Sequence, residues 1–236
     1  GLLFFARRLR QRRQSSHHIT LLGDRELDSG TRTGQLHPQQ FLQQPAGTFG
    51  LLETQKPTFS PAIWTTVATG KEPANHGILG FAIGKPDGTT RLFTNRDRKT
   101  KALWNIFSDS GAKVHSIGWW TTFPAETVNG TMVAQTNTDS QLSRDDVIQK
   151  GTLVEGLDGQ VYPPGYQQQV MQIAAAVKNE LPALGESTFG RFKHPHSVLS
   201  QRLWKHTLWA FRADTIYARV GEEILARDEP LDLMLI

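Results

Sequence analysis

The chain has 236 residues, of which 26 are basic and 22 acidic, with 38% apolar content, six Trp, twelve Phe and no cysteine. That length and aromatic content support a packed core and exclude wholesale disorder. The lack of cysteine excludes disulfides, thiolate catalysis, zinc–cysteine sites and iron–sulfur clusters, and no apolar run approaches the ~20 residues that cross a bilayer.

The basic excess sits at the start. Residues 1–13, GLLFFARRLRQRR, hold five Arg and no acid, leaving 21 basic against 22 acidic residues for the remainder. The body is therefore close to neutral, and no nucleic-acid partner is expected. An RNA-binding module built on the Arg arm would need the basic patch to continue onto the folded surface. LLFFA is shorter than the roughly 7–15-residue apolar region of an export signal and precedes the arginines instead of following them. No export signal is read; the compartment stays open, with the cytoplasm slightly favoured, and so does the oligomeric state. Residues 1–16 read as a basic, disordered arm.

HHITLLG, residues 17–23, predicts a short buried strand, whereas DRELDSGTRTGQLHPQQFLQQPAG is polar and without a sustained period. GTFGLLET resumes a strand-like pattern that Pro57 closes. SPAIWTTVATG then predicts a helix beginning at Pro61, with Ser60 as N-cap and Gly70 as the stop. DGTTRLF carries an Asp-Gly turn and a short strand. In RKTKALWNIFSDSG, Ala102, Leu103, Ile106 and Phe107 fall at helical spacing, and AKVHSIGWW follows Gly111 as a buried strand. Helix, glycine and strand in that order predict an α/β sheet with parallel crossovers.

From residue 138 the chain turns polar and turn-rich before YQQQVMQIAAAVKNEL, a predicted helix. Past FKHPHS, QRLWKHTLWAFRADTIYARVGEEILAR predicts a long helix and LDLMLI a buried strand. The expected organisation is a basic arm over 1–16, a first core part over 17–137, a cap insertion over 138–200 and a return to the core over 201–236. A mostly parallel central sheet is expected to hold segments near 17–22, 112–120 and 231–236, each rich in apolar residues.

Most motif matches dissolve on inspection. Gly70-Lys71 fails as a phosphate loop because Glu72 follows and Thr65 stands where the first glycine belongs. GLDG at 156–159 is a hairpin turn, HPH at 194–196 a surface loop, and His115 a hydrogen-bonded core histidine. Asn129-Gly130-Thr131 fits a glycosylation acceptor that matters only in a secreted chain. Ser60 is different: a hydroxyl at a helix start faces free backbone N–H groups and the positive end of the dipole, which suit a phosphoryl oxygen. The plain alternative is a cap and nothing more.

SPAIWTTVATGKEPANHGILGF resembles the nucleophile segment of the alkaline phosphatase superfamily, in its type I phosphodiesterase and nucleotide pyrophosphatase branch, through Ser60, Thr69-Gly70, Pro73 and His76-Gly77-Ile78. KALWNIFSDSGAKVHSIGWWTTFPAE resembles the helix and strand that follow, so the likeness covers residues 46–138 and, more loosely, the last helix and strand. It implies an alkaline-phosphatase-like α/β sandwich with a cap, and a hydrolase of phosphate esters, phosphodiesters foremost, acting on a small-molecule substrate through a phospho-serine intermediate. Two divalent metal ions, zinc being usual, would activate the nucleophile. Ser60 maps onto that nucleophile and metal ligand, and Asp24 is the candidate for the first carboxylate ligand, with Asp28 as the other choice.

The family's other ligands lie beyond a strand resembling LDLMLI, so the chain is expected to be an N-terminal fragment, poor in metal binding and inactive by itself. A catalytically dead relative used for binding, or a phosphomonoesterase or phosphotransferase of the same superfamily, are the other readings. The Asn that nucleotide-cleaving members place after His-Gly-Ile is replaced here by Leu79-Gly80-Phe81. The sulfatase pattern is absent, since Pro61 follows Ser60 directly and no Arg is near.

Overall fold

A computed structural model describes residues 2–6, 17–21, 54–135, 153–190, 197–227 and 229–236. It is a mixed α/β structure around a six-stranded sheet of order β2-β1-β8-β5-β6-β7. The strands are β1 (Leu2–Ala6), β2 (His17–Leu21), β5 (Val114–Ile117), β6 (Gly130–Val133), β7 (Val161–Tyr162) and β8 (Leu233–Leu235). A separate hairpin pairs β3 (Ala82–Gly84) with β4 (Thr90–Leu92).

Segments 17–22, 112–120 and 231–236 do share one sheet, but that sheet is mixed. β5 runs parallel to β6 and β8, while β1–β2, β1–β8 and β6–β7 pair antiparallel. Continuous apolarity marks a strand buried on both faces, as β5 and β8 are; it carries no information on direction, which the connections decide. Residues 1–16, expected to be a disordered arm, supply strand β1, seated between β2 and β8. The strand expected around GTFGLLET lies outside the described residues.

Five helices flank the sheet among the described residues: α1 (Ser60–Thr69), α2 (Pro73–His76), α3 (Leu103–Asp109), α4 (Gln167–Phe189) and α5 (Val198–Leu225). Alternation along the strands sends their side chains into two apolar clusters. Val114, Met132, Leu233 and Leu235 pack with Ala68 of α1, with Trp104 of α3 and with Trp119. Ile117, Val133 and Met234 pack with Val170, Ala174 and Val177 of α4 and with Ile216, Tyr217, Val220 and Ile224 of α5. Residues 138–200, read in advance as a cap, thus contribute β7 to the sheet and α4 to the core. GLDG is a turn but no hairpin: buried Gln160 closes it, its amide accepting from the Val154 N–H and donating to the Val154 and Leu157 carbonyls.

α3 differs from its helical-spacing forecast. Trp104, not Ile106, faces the core, at 1% exposure against 50%. The indole of Trp104 donates to Glu126 (2.6 Å), which also takes an ion pair from the nearly buried Arg98 (2.7 Å), whose guanidinium lies over the Trp104 ring. A carboxylate drawn from water is tolerated because both partners are charge-assisted or polar. On the other face, Arg227 grips Glu223 with two bonds and lies 4.2 Å from the Tyr166 ring, while the Tyr166 hydroxyl donates to Glu223. Burial and that neighbouring carboxylate raise the Tyr166 pKa above the usual phenol range.

The turn after β5 depends on Gly118. Its φ is +66°, and a Cβ there would meet the buried Tyr217 ring at 2.5 Å. Gly118→Ala should therefore destabilise by roughly 3 kcal/mol, combining left-handed strain with overpacking. Gly70→Ala, at φ +64° with no atom within 4 Å of the added Cβ, should cost only about 1 kcal/mol. Urea midpoints of the two variants check the difference.

Candidate functional site

Helix α1 begins one residue earlier than expected. Phe59 is the N-cap, with extended backbone and a carbonyl that accepts the Ile63 N–H (3.0 Å); Ser60 is the first helical residue and Pro61 the second. Proline suits this start because its fixed φ and missing donor match a position whose N–H has no helical partner. A phenylalanine cannot cap, so the first turn has neither a side-chain cap nor an acidic residue. The Ser60 hydroxyl is partly buried and has no hydrogen-bond partner among the described residues. An open helix start with a free hydroxyl favours an anion.

Two anchors position this start. The Trp64 ring, one turn after Ser60, meets the Trp119 ring edge-on at 5.5 Å, and the Trp119 indole donates to the Trp64 carbonyl (3.1 Å). Trp119 lies just beyond the C-terminal end of β5, the end at which open α/β sheets place ligands. The second anchor is His76, fully buried at the end of α2. Its Nδ1 accepts the Ile78 N–H (3.1 Å), so the proton is assigned to Nε2, which donates to the Thr66 hydroxyl (3.0 Å); Thr66 in turn donates to Gln55 (3.2 Å). Burial is the main cause holding the His76 pKa below its ordinary value.

The His-Gly-Ile motif is thereby explained by position. Gly77 adopts φ +86°, and a Cβ there would stand 2.9 Å from the Asp97 carbonyl, while the His76 carbonyl accepts the Lys99 N–H (2.9 Å). Imidazole, left-handed glycine and buried Ile78 together clamp the segment following α1 against α1 itself.

Of the other candidates, Asp24, Asp28 and the HPH at 194–196 lie outside the described residues. His115 is buried, but its Nδ1 has no partner among the described residues, unlike the hydrogen-bonded core histidine expected. Asn129 donates its side-chain amide to the Gly111 carbonyl (2.8 Å). Among the described residues no group of three or more His, Asp or Glu could hold a metal ion. No helix is long and apolar enough to cross a membrane among the described residues.

Sequence patterns gave no warning of two further features. Thr121 holds φ 61°, rare for a β-branched residue, with its buried hydroxyl unpartnered among the described residues. Aromatic rings of Phe59, Phe81 and Trp120 form a contact chain; no periodicity marks them, since they come from three separate segments.

Helices packed on both faces of a mixed sheet, with the start of α1 tied to the end of β5 through Trp64 and Trp119, define an α/β protein. The chain belongs to the type I phosphodiesterase / nucleotide pyrophosphatase family, whose model matches residues 45–217, and so to the alkaline phosphatase superfamily. No curated protein and no solved structure matches it.

Neutral His76 links stability to acidity. Its folded pKa lies below the unfolded value of 6.5, so the unfolded chain takes up the proton first as pH falls. Stability is then full above about pH 6.5 and declines below it. His76→Gln should lower stability at pH 7.5 yet flatten the loss between pH 7 and 5, read from urea midpoints against pH.

Proposed function

We propose that this protein hydrolyses phosphate esters, phosphodiesters foremost, with the Ser60 hydroxyl as nucleophile. The observation that carries the reading is Ser60 itself: a hydroxyl unpartnered among the described residues, on the first residue of a helix whose start has no side-chain cap, within a segment matched by the model of a phosphodiesterase and pyrophosphatase family.

The chemistry follows in two displacements. The Ser60 oxygen attacks phosphorus, the bond from phosphorus to the alcohol oxygen breaks, and the alcohol departs with a proton. Water then attacks the phospho-serine and restores the hydroxyl while phosphate or a phosphomonoester leaves. The backbone N–H groups at the start of α1 face the negative charge that gathers on the phosphoryl oxygens. The family's metal requirement, two divalent ions with zinc the expected species, enters the proposal as a demand on residues outside those described, Asp24 among them. An alkaline-phosphatase-like sandwich is the architecture proposed with it, supported by apolar clusters on both faces of the sheet.

Ser60→Ala separates nucleophile from cap. Because Ser60 occupies the first helical position and not the N-cap, losing its hydroxyl should change stability by less than about 0.5 kcal/mol. In a protein that carries the complete metal site, turnover of an aryl phosphodiester in zinc-containing buffer should fall by a factor on the order of 10³ or more. Turnover within a few-fold of wild type would remove Ser60 from the chemistry.

A further inference from the structure

Among the described residues, α4 enters the core cluster only through residues 170–177 and α5 only through residues 213–224. The rest of the two helices packs on itself. Phe189, the last residue of α4, meets the Trp204 and Phe211 rings of α5 edge-on at 5.9 and 5.1 Å, and a Cβ on buried Gly185 would stand 3.4 Å from Leu208. The part of α5 before the core, Val198–Arg212, has fifteen residues and at ~1.5 Å per residue is about 22 Å long. α4 and α5 thus form a two-helix arm beyond the core.

Two features of the arm do nothing for its own folding. Phe189, Val198 and Leu203 are 43%, 83% and 58% exposed, and because Phe189 ends α4 and Val198 begins α5, both stand at its far end. Charge is segregated in the same direction. Val198–Arg212 carries Arg202, Lys205 and Arg212 and no acid, whereas Ala213–Leu225 carries Asp214, Glu222 and Glu223 against Arg219. The last two turns of α4, Pro182–Phe189, add one acid, Glu186. Like charges three residues apart on a helix repel, and exposed apolar side chains gain nothing from water. Held together in one place, such groups mark a binding surface.

We infer that the far end of the α4–α5 arm docks on an anionic lipid surface, with Phe189, Val198 and Leu203 entering the boundary between headgroups and acyl chains. Charge complementarity selects this occupant. Arg202 and Lys205 follow Val198 along α5 by about 6 and 10 Å of helix axis, which is within roughly one Debye length of a surface that Val198 touches. Anionic headgroups attract cations at that range, and apolar side chains at the same end add the second signal that lasting attachment needs. No helix among the described residues is long and apolar enough to cross a membrane, so the contact is one of dipping in from the side. A second copy of the chain fits less well, because a symmetric contact would set the positive stretch against itself.

Co-sedimentation of the 236-residue chain with vesicles tests this, using phosphatidylcholine alone and phosphatidylcholine mixed with phosphatidylglycerol. Binding to the mixed vesicles should be tighter by about tenfold or more at low salt and should weaken as salt is added. Val198→Ser combined with Leu203→Ser removes apolar surface without changing charge and should weaken that binding by about tenfold or more. Arg202→Gln combined with Lys205→Gln should weaken it by a similar factor, about tenfold, at low salt. Val198 and Leu203 are exposed, so the far-ultraviolet spectrum of the serine variant should match wild type. The arginines of residues 1–13 are intact in both variants, so binding retained in full by both would place the contact elsewhere and overturn the inference. Equal binding to the two kinds of vesicle, or none to either, would also overturn it. So would self-association without vesicles that the serine variant abolishes, since that result assigns the surface to a second copy.

Discussion

The hydrogen bond from the Trp119 indole to the Trp64 carbonyl, with the two rings packed edge-on, is the contact on which the site depends. It joins the helix carrying Ser60 to the strand end that carries Trp119, two elements far apart in sequence. The Trp119 ring also meets Trp104 at 6.0 Å, so one residue ties α1, α3 and the end of β5 together. Without it, the start of α1 would have no fixed relation to the sheet, and a hydroxyl there would have no defined surroundings. Aromatic triads of this kind bring large buried area together with directional edge contacts, which suits a joint that must hold position.

Around that joint, polar groups are used as fasteners where backbone would otherwise be loose. His76 ties the stretch after α1 back onto Thr66, and Glu126 gathers Arg98, Trp104 and Asn105 behind α3. Each of these buried polar groups has partners for the atoms used, which makes it a constraint and not merely a cost. The family's motif residues are in this light more scaffold than chemistry: of Ser60, Gly70, Pro73, His76, Gly77 and Ile78, only Ser60 presents an unengaged polar side chain.

Much of this was legible beforehand, and the failures have identifiable causes. Pro61 and Gly70 bounded α1 because each imposes a backbone angle, and the apolar-rich segments around 114–117 and 233–235 announced buried strands. The N-cap was misplaced by one residue because serine is the better capper by chemistry, whereas here the extended backbone of Phe59 takes the position without a side-chain bond. Ile106 and Trp104 exchanged roles because helical spacing identifies an apolar stripe but not which edge of it faces the sheet, and the Trp104 indole had a carboxylate to reach. The glutamine-rich start of α4 disguises the Val170, Ala174 and Val177 stripe that enters the core. The rings beside Ser60 could not have been foreseen, since only the folded hairpin brings Phe81 to Phe59.

The proposed reaction turns on one event, the bonding of phosphorus to Ser60. The direct measurement is an acid quench of the enzyme during turnover of an aryl phosphodiester, followed by peptide mass spectrometry. A single phosphoryl group located on Ser60 is the expected result; sustained turnover with the Ser60 peptide unmodified, or with the phosphoryl group on another residue, would contradict it.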